Sequence, residues 1–445
     1  MSQHFLPCDR DQQYLMPMSL RDWLPEGHLA WFVLDVVEQM DLSSFYARYR
    51  ADGWGAAAFE PRMMVALLLY AYCIGERSSR RIERRCAEDI AFRVLAANQV
   101  PDHSTIARFR QRNEAALAHC FVEILRLCQA AGLGRVGLVA LDGTKVEANA
   151  SLGANRTVES IEREVERMLA EAAQADAAED RLHGRARGDE LPPGFRDHGG
   201  RLARLARATA RLEEETAQRE RAYQEHLARR AALEAERGRP LRGRKPVRKS
   251  PRSPATVRAN TTDPDSRVVK RGPSLVQGYN AQAVVAEDQI IVAAEVTQDA
   301  NDRRQLRPML ARAQENLVAA ASGTQIGTLL ADAGYWSDRE IAPLLEDPAA
   351  PQLLVAAEQH PAHRTRSSPS ARLRARMRGR LTSSRGRTLY AQRSRICEPV
   401  FGEIKWTRGA RRFMRRGLAA CDAEWKLLCA TNNLRKLWRA KSSGR

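Results

Sequence analysis

Two short apolar runs, far apart in the chain, each end on an aspartate. Residues 138–141 (LVAL) precede Asp142, and the apolar run in "IGTLLADAG" (326–334) precedes Asp332. Such runs predict buried β-strands, but an unpaired charge at the edge of a core is costly. The chain must therefore bring both strand ends to a place where the carboxylates find water or a cation. We predict that the two strands lie in one sheet and that Asp142 and Asp332 converge at its edge.

The remaining strand signals predict an α/β fold around this edge. Two apolar runs, 281–288 and 290–297, are close enough together in sequence for an antiparallel hairpin. An amphipathic helix follows them, then the strand that ends at Asp332, a second helix and a candidate strand in "PQLLVAA". A hairpin followed by a βαβ unit predicts a mixed sheet with flanking helices.

The chain divides into four segments by pattern. Residues 1–130 have helical periodicity and predict an all-α N-terminal domain, and residues 131–156 contain the first strand of the α/β core. Residues 157–260 predict a helical insertion in that core, which ends in a basic linker. Residues 261–445 carry the remainder of the core and the C-terminal helices.

The net charge is the strongest global indication of a partner. With 72 Lys+Arg against 54 Asp+Glu, the formal net charge is +18, which favours a nucleic acid partner. Arg108, Arg110 and Arg112 predict a DNA-binding face on the N-terminal helices, with a merely solvated basic face as an equal alternative. No apolar run approaches the ~20 residues of a membrane helix, and no secretory signal is recognisable. We expect a cytoplasmic, nucleoid-associated protein without a membrane partner.

A third carboxylate lies in "SRICEPVFGEIKWTRG", where Glu398 or Glu403 is near the start of a predicted helix. Three convergent carboxylates repel one another unless a cation lies among them, and their oxygen atoms suit Mg²⁺. Two such ions roughly 4 Å apart promote phosphoryl transfer. Either aspartate alone is better interpreted as a turn or capping residue. Together, in so basic a chain, they predict an enzyme that cuts or joins DNA.

Several motifs, taken in order, resemble a known family. They are "LDGTKVEANAS", "TDPDSR", "GYNAQ", "LLADAGYWS" and "EPVFGEIK" with the "RGARRFMRRGL" and "AEWKLLCATNNLRKL" that follow. Over nearly the whole chain they resemble the DDE transposases of bacterial insertion sequences, in the branch with a Tyr-Arg-Glu-Lys signature. The resemblance implies an RNase H-like core and an Asp-Asp-Glu triad that binds two divalent metal ions. Asp142 and Asp332 match the first two triad positions.

The signature favours Glu398 as the third triad member. Its spacing fits Tyr390, Arg393, Glu398 and Lys405, with one extra residue before Glu398 that leaves Arg395 open as an alternative to Arg393. Glu398 and Lys405 are seven residues apart and share one face of an unbroken α-helix, whereas the other glutamate points elsewhere. The resemblance implies Glu398 as a metal ligand and the signature's basic and aromatic residues as contacts to transposon-end DNA.

We therefore expect a transposase that binds the terminal inverted repeats of its insertion sequence, cleaves the DNA and transfers the strand to target DNA. The expected cofactors are two Mg²⁺ ions, for which Mn²⁺ can substitute. The expected assembly on DNA is a homodimer or larger, and the helical insertion is expected to bind flanking DNA or a second protomer. Tyr335 and Trp336, just after Asp332, are interpreted as core residues rather than as a platform for an extruded base.

Three alternatives remain beside this expectation. "LDGT" is similar to the aspartyl-phosphate loop of haloacid dehalogenase-like phosphatases, but Ala140 stands where the nucleophilic aspartate is needed. An RNase H-like structure-selective DNA nuclease would use the same fold and metals without strand transfer. A DNA-binding regulator would bind the same DNA without catalysis.

Overall fold

The computed structural model describes residues 19–49, 58–183, 198–240, 258–321, 323–357 and 369–443. Most of the predicted basic linker lies outside these residues. Over the described residues the fold is mixed α/β, with a helical N-terminal region and a mixed sheet.

The N-terminal region is built from seven helices among the described residues. They are α1 Leu29–Glu38, α2 Ser43–Tyr46, α3 Pro61–Cys73, α4 Ser79–Glu88, α5 Ile90–Leu95, α6 His103–Arg112 and α7 Glu114–Ala130. Local chemistry fixes where they begin. Glu60 accepts a hydrogen bond from the Met63 backbone N–H at 2.6 Å, and Asp102 accepts one from Ser104 at 2.9 Å. These caps satisfy backbone donors that a helix start leaves unpaired.

The main sheet has six strands. They are β1 Leu138–Glu147, β4 Arg267–Arg271, β5 Ser274–Ala286, β6 Ile291–Thr297, β7 Thr328–Ala331 and β8 Gln352–Val355, and the order is β4-β5-β1-β7-β8 with β6 also paired to β5. The β5–β6 pair is the predicted antiparallel hairpin. β1, β7 and β8 are parallel to one another. All four residues of β7 are buried, as is typical of a parallel strand covered on both faces.

The helical insertion leaves and rejoins the core at one small sheet. β2 Asn155–Arg156 pairs with β3 Ala259–Asn260, and between them lie α8 Val158–His183 and α9 His198–Arg237. A separate apolar cluster holds the two helices together near this sheet, formed by Ile161, Met168, Leu205, Ala208, Leu212 and Ala259. The insertion therefore has its own small core next to the point where it joins the sheet.

Six further helices complete the fold. They are α10 Leu306–Ala319, α11 Asp338–Glu346, α12 Pro369–Thr382, α13 Ser384–Tyr390, α14 Arg393–Gly402 and α15 Leu418–Ser443. α10 connects β6 to β7 and α11 connects β7 to β8, as parallel strands require. α14 continues into a π-helical turn, Glu403–Thr407.

α15 joins the sheet to the N-terminal helices. The Asn433 side chain donates to the Ile291 carbonyl and accepts from the Ile291 N–H, both at 2.8 Å. On the other side, the Cys73 thiol of α3 donates to the Thr431 carbonyl at 3.7 Å. The main buried cluster accordingly runs without a break from the N-terminal helices through the sheet to α15. The domain boundaries given above stay a prediction.

Within the described residues, no helix is both long enough and apolar enough to cross a membrane. The seven cysteines that the structure describes are all buried and free, so they are part of the packed interior.

A buried ion pair fastens the C-terminal region to the N-terminal helices. The Arg77 guanidinium lies 2.9 Å from the Glu424 carboxylate, and the two side chains are 9% and 0% exposed. Arg77 also donates to the Arg412 carbonyl at 2.9 Å, while Glu424 accepts from the Met414 N–H at 3.0 Å. Both charged groups of this pair therefore also form hydrogen bonds with the backbone.

Removing one partner would leave the other charge buried and unpaired. Glu424→Ala is expected to lower the free energy of unfolding by about 3–5 kcal/mol, measured by urea denaturation. Glu315→Ala on α10 is the control, because Glu315 is 62% exposed in its pair with Arg312 and such pairs contribute about 0–1 kcal/mol. Equal losses in the two variants would contradict this assignment.

Candidate active site

The strand register places Asp142 beside Asp332. β1 and β7 run parallel, and their last paired residues are Leu141 and Ala331. Asp142 follows Leu141 and Asp332 follows Ala331, so the two aspartates lie where the pairing between β1 and β7 stops. The prediction that the two apolar runs share one sheet is confirmed.

The prediction that β1 ends at Asp142 is wrong. β1 continues to Glu147, because β5 goes on pairing with it in antiparallel register, from Asp142 opposite Ala283 to Glu147 opposite Gly278. Asp142 therefore lies on a strand that is hydrogen-bonded on one side only. The backbone of Asp142 is held by its pairing with β5, and β7 does not pair with it on the other side.

An arginine lies against Asp142. The Arg393 guanidinium at the start of α14 is 3.1 Å from Asp142 Oδ2, and the two side chains are about one-fifth exposed. Burial raises the pKa of Asp142, Arg393 lowers it, and the charge of Asp332 raises it again. The negative charges of Asp142 and Asp332 thus repel each other, and the positive charge of Arg393 offsets part of this repulsion.

Asp332 is oriented by the turn that it begins. It caps a short 3-10 helix, Ala333–Tyr335, and its Oδ1 accepts a hydrogen bond from the Gly334 N–H at 2.9 Å. The Tyr390 hydroxyl donates to the carbonyl of Ala331, the residue before Asp332, at 3.3 Å. Tyr390 therefore holds α13 against the end of β7.

Glu398 lies on α14 with its side chain exposed. The residue before it, Cys397, is buried, and its thiol donates to the Ala140 carbonyl of β1 at 3.6 Å. Burial raises the pKa of the Cys397 thiol, and the charges of Asp142, Glu398 and Asp332 raise it further. The thiol is thus within electrostatic reach of all three predicted triad residues.

Glu403 has a different partner. Its carboxylate lies 2.5 Å from the Arg435 guanidinium on α15. This pairing directs Glu403 towards the C-terminal helix, whereas Asp142 faces Arg393 at the start of α14. The contact favours Glu398 over Glu403 as the third acidic residue.

The predicted metal ligands can be compared with the side chains that the structure places together. Among the described residues, no three acidic, histidine or cysteine side chains are close enough together to hold a metal ion. Asp142 and Asp332 nevertheless fit a divalent cation, because they are neighbouring hard-oxygen donors whose repulsion a cation would relieve. The assignment of Glu398 as a third ligand stays a prediction.

Lys405 contacts the same strand as Asp142. Its ammonium donates to the Thr144 hydroxyl of β1 at 2.7 Å. Glu398 and Lys405 do not lie on one unbroken α-helix as predicted, because α14 ends at Gly402 and a π-helical turn begins at Glu403. The face that the two residues were predicted to share is therefore not that of a regular α-helix.

Of the three arginines predicted to form a DNA-binding face, two are exposed and one is buried. Arg108 and Arg112 are exposed on α6, four residues apart. Arg110 is buried and donates to the Tyr72 hydroxyl at 3.3 Å and the Arg77 carbonyl at 2.8 Å. The prediction of one face with all three arginines was wrong for Arg110, because helix residues two apart point in different directions.

Near the two aspartates lies a network of polar side chains that the sequence analysis did not predict. Asn280 and Gln282 are completely buried on β5, and both side-chain amides donate to Asp302, at 2.7 and 2.8 Å. Two polar residues at alternate positions of an otherwise apolar strand are the signal that could have found it, since alternate residues face the same side of a sheet. Tyr335 and Trp336 are 0% and 7% exposed, which confirms them as core residues.

Comparison with known families identifies two parts of the chain. Residues 18–112 match the family described as Transposase domain (DUF772), and residues 356–438 match the family described as Transposase DDE domain. Two separate segments of the chain are therefore similar to transposase domains. No curated protein and no solved structure matches the chain.

The matched segments cover part of the predicted site. The segment similar to the Transposase DDE domain includes Tyr390, Arg393, Glu398 and Lys405, and the other matched segment includes the exposed arginines of α6. The two aspartates lie outside both segments. Together the matches support a DDE transposase, while the Tyr-Arg-Glu-Lys branch stays a prediction.

Proposed function

We propose that this protein is a DNA transposase that binds the terminal inverted repeats of its insertion sequence and catalyses DNA cleavage and strand transfer. The observation that carries the proposal is the adjacency of Asp142 and Asp332 at the end of the β1–β7 pairing, in a chain with a DDE transposase domain. The antiparallel hairpin joined to parallel strands supports the further proposal that the core is RNase H-like.

The residues of the site would divide the chemistry as follows. Asp142, Asp332 and Glu398 would hold two Mg²⁺ ions, or Mn²⁺ in their place, and the bound ions would supply Lewis acidity for phosphoryl transfer. Water attacks the phosphodiester at the end of the element and frees a 3′-hydroxyl. That hydroxyl then attacks a phosphodiester of the target DNA, which joins the strands and releases a new 3′-hydroxyl.

Basic residues around the site favour a phosphate substrate. Arg393 offsets the negative charge of Asp142. Lys405, in the π-helical turn that follows α14, donates to Thr144 of β1. Burial lowers the pKa of Lys405, and the nearby charges of Arg271 and Arg411 lower it further. A DNA phosphate placed here would meet several cations, which supports Tyr390, Arg393 and Lys405 as the residues nearest the transposon end.

The insertion is proposed to contact DNA flanking the cut. Arg204 and Arg207 of α9 line a cleft together with Arg416, which precedes α15. Asp263 and Asp265 also line it, so the cleft is mixed in charge and not uniformly basic. Arginines from two parts of the chain around one cleft suit the phosphates of a DNA strand. A homodimer or larger assembly on DNA is part of the same proposal.

The carboxylates give the direct test. Asp142→Asn, Asp332→Asn and Glu398→Gln are each expected to reduce cleavage of labelled terminal-repeat DNA about 100-fold or more, without loss of DNA binding. Glu403→Gln is the matched control and is expected to cut normally. If Glu403→Gln abolished cutting and Glu398→Gln did not, the choice of the third ligand would be wrong.

The same assay separates the transposase from its alternatives. A transposase joins the cleaved 3′ ends to target DNA, whereas a structure-selective nuclease releases cut ends without joined products. A non-catalytic regulator would bind the DNA, and Asp142→Asn would change none of its activities. Joined products that disappear in Asp142→Asn are the expected result.

The exposed arginines of α6 are expected to bind DNA phosphates. Arg112→Ala should weaken binding and lower the slope of log affinity against log salt by about 1, measured by fluorescence anisotropy. Arg307→Ala removes an equal charge from an exposed position on α10 and serves as the control. An unchanged slope for Arg112→Ala would remove this residue from the DNA interface.

A further inference from the structure

Asp302 is the centre of a partly buried hydrogen-bond network beside the two aspartates. It lies in the loop between β6 and α10, and one of its oxygens, Oδ1, accepts three hydrogen bonds. The donors are the amides of Asn280 and Gln282, at 2.7 and 2.8 Å, and the Lys145 ammonium at 3.3 Å. Three donors on one oxygen hold this carboxylate in one position.

Gln282 carries the network to the turn that begins at Asp332. Its amide nitrogen also donates to Asn280 Oδ1 at 2.9 Å, and its amide oxygen accepts a hydrogen bond from the Tyr335 hydroxyl. Tyr335 is completely buried and ends the 3-10 helix that Asp332 caps. With both ends of its amide bonded and no exposure, Gln282 has one orientation available.

The network passes next to the backbone of both aspartates. A Cβ atom added at Gly143, the residue after Asp142, would lie 3.0 Å from Asp302 Oδ1 and 2.3 Å from the Gln282 amide nitrogen. A Cβ added at Gly334 would lie 3.0 Å from Asp332 Oδ1 and 3.4 Å from Asp302 Oδ2. Glycine at both positions therefore leaves the space that these polar side chains occupy.

Electrostatics agree with this placement. Burial raises the pKa of the Tyr335 hydroxyl well above its usual value, and the charges of Asp302, Asp142 and Asp332 raise it further, in that order. The hydroxyl therefore acts as the donor in its hydrogen bond to Gln282.

We propose that Asp302 is a positioning residue for DNA cleavage: through Gln282 and Tyr335 it fixes the turn carrying Asp332 relative to the strand carrying Asp142. The inference rests on the proposed function. Its physical basis is that the ladder between β1 and β7 brings the two strand ends together but stops before either aspartate, so it does not fix how the two side chains are oriented. Catalytic groups need to be held to within about 0.5 Å by the residues around them, and this network is what connects the two.

Two variants test the proposal in the full-length protein. Asp302→Asn keeps the shape and removes the charge that gathers the three donors, and Tyr335→Phe removes the hydroxyl that links Gln282 to the turn. Each is expected to reduce kcat for cleavage of terminal-repeat DNA about 10–100-fold, with KM for the DNA unchanged. Mn²⁺ affinity, measured by electron paramagnetic resonance titration without DNA, should fall about 10-fold or more, as for other residues that orient metal ligands.

Asp288→Asn is the matched control. Asp288 is likewise a loop aspartate that accepts a hydrogen bond, in its case from the Gly134 N–H at 2.6 Å, but it lies by the other end of β1. This variant is expected to retain wild-type kcat and Mn²⁺ affinity. Melting temperatures of all three variants should stay close to that of the wild type, so that the losses in kcat are not losses of folded protein.

The double variant Asp302→Asn/Tyr335→Phe adds a second readout. Residues that act through one network are not additive, so the double variant should lose about as much kcat as the worse single variant. A loss equal to the product of the two single losses would overturn the proposal.

The remaining outcomes separate this inference from the proposed function. If the wild type cuts DNA and both single variants cut and bind Mn²⁺ as Asp288→Asn does, Asp302 has no positioning role. If the variants lose kcat only in proportion to lost folded protein, the role is structural and the inference is wrong. A wild type that neither cuts DNA nor binds Mn²⁺ would overturn the proposed function itself.

Discussion

The parallel ladder between β1 and β7 is the constraint on which the candidate site depends. It ends after Leu141 and Ala331, because β7 turns there into a short 3-10 helix while β1 goes on pairing with β5. One aspartate is therefore held on a continuous strand and the other on a turn. The C-terminal helices then close on this edge, with Tyr390 bonded to the end of β7 and Arg393 to Asp142.

The edge of the sheet could be predicted because its signal is local. An apolar run that stops at a carboxylate is visible within ten residues, and two such runs were enough to predict that Asp142 and Asp332 converge. The end of β1 could not be predicted in this way. Residues 143–147 extend the strand only because β5, more than 100 residues later, supplies their hydrogen-bond partners.

The supporting residues were harder to predict than the acidic ones. Asn280 and Gln282 belong to the motif GYNAQ, but the motif does not show their partners. These are Asp302, between β6 and α10, and Tyr335, in the turn after β7. Arg110 shows the opposite difficulty: it was grouped with its exposed neighbours by charge, and only the packing of α6 separates it from them. Charge and motif therefore identified the neighbourhood of the site, and tertiary contacts decided which side chains support it.

The position of α15 has a consequence for shortened copies of this gene. The helix contributes the side chains that cover α3 and α7 on one side and β6 on the other, and it ends the described chain. A reading frame that stopped before Leu418 would leave all three surfaces open to water at once. Such a product would aggregate or be degraded, and it would not persist as a folded protein.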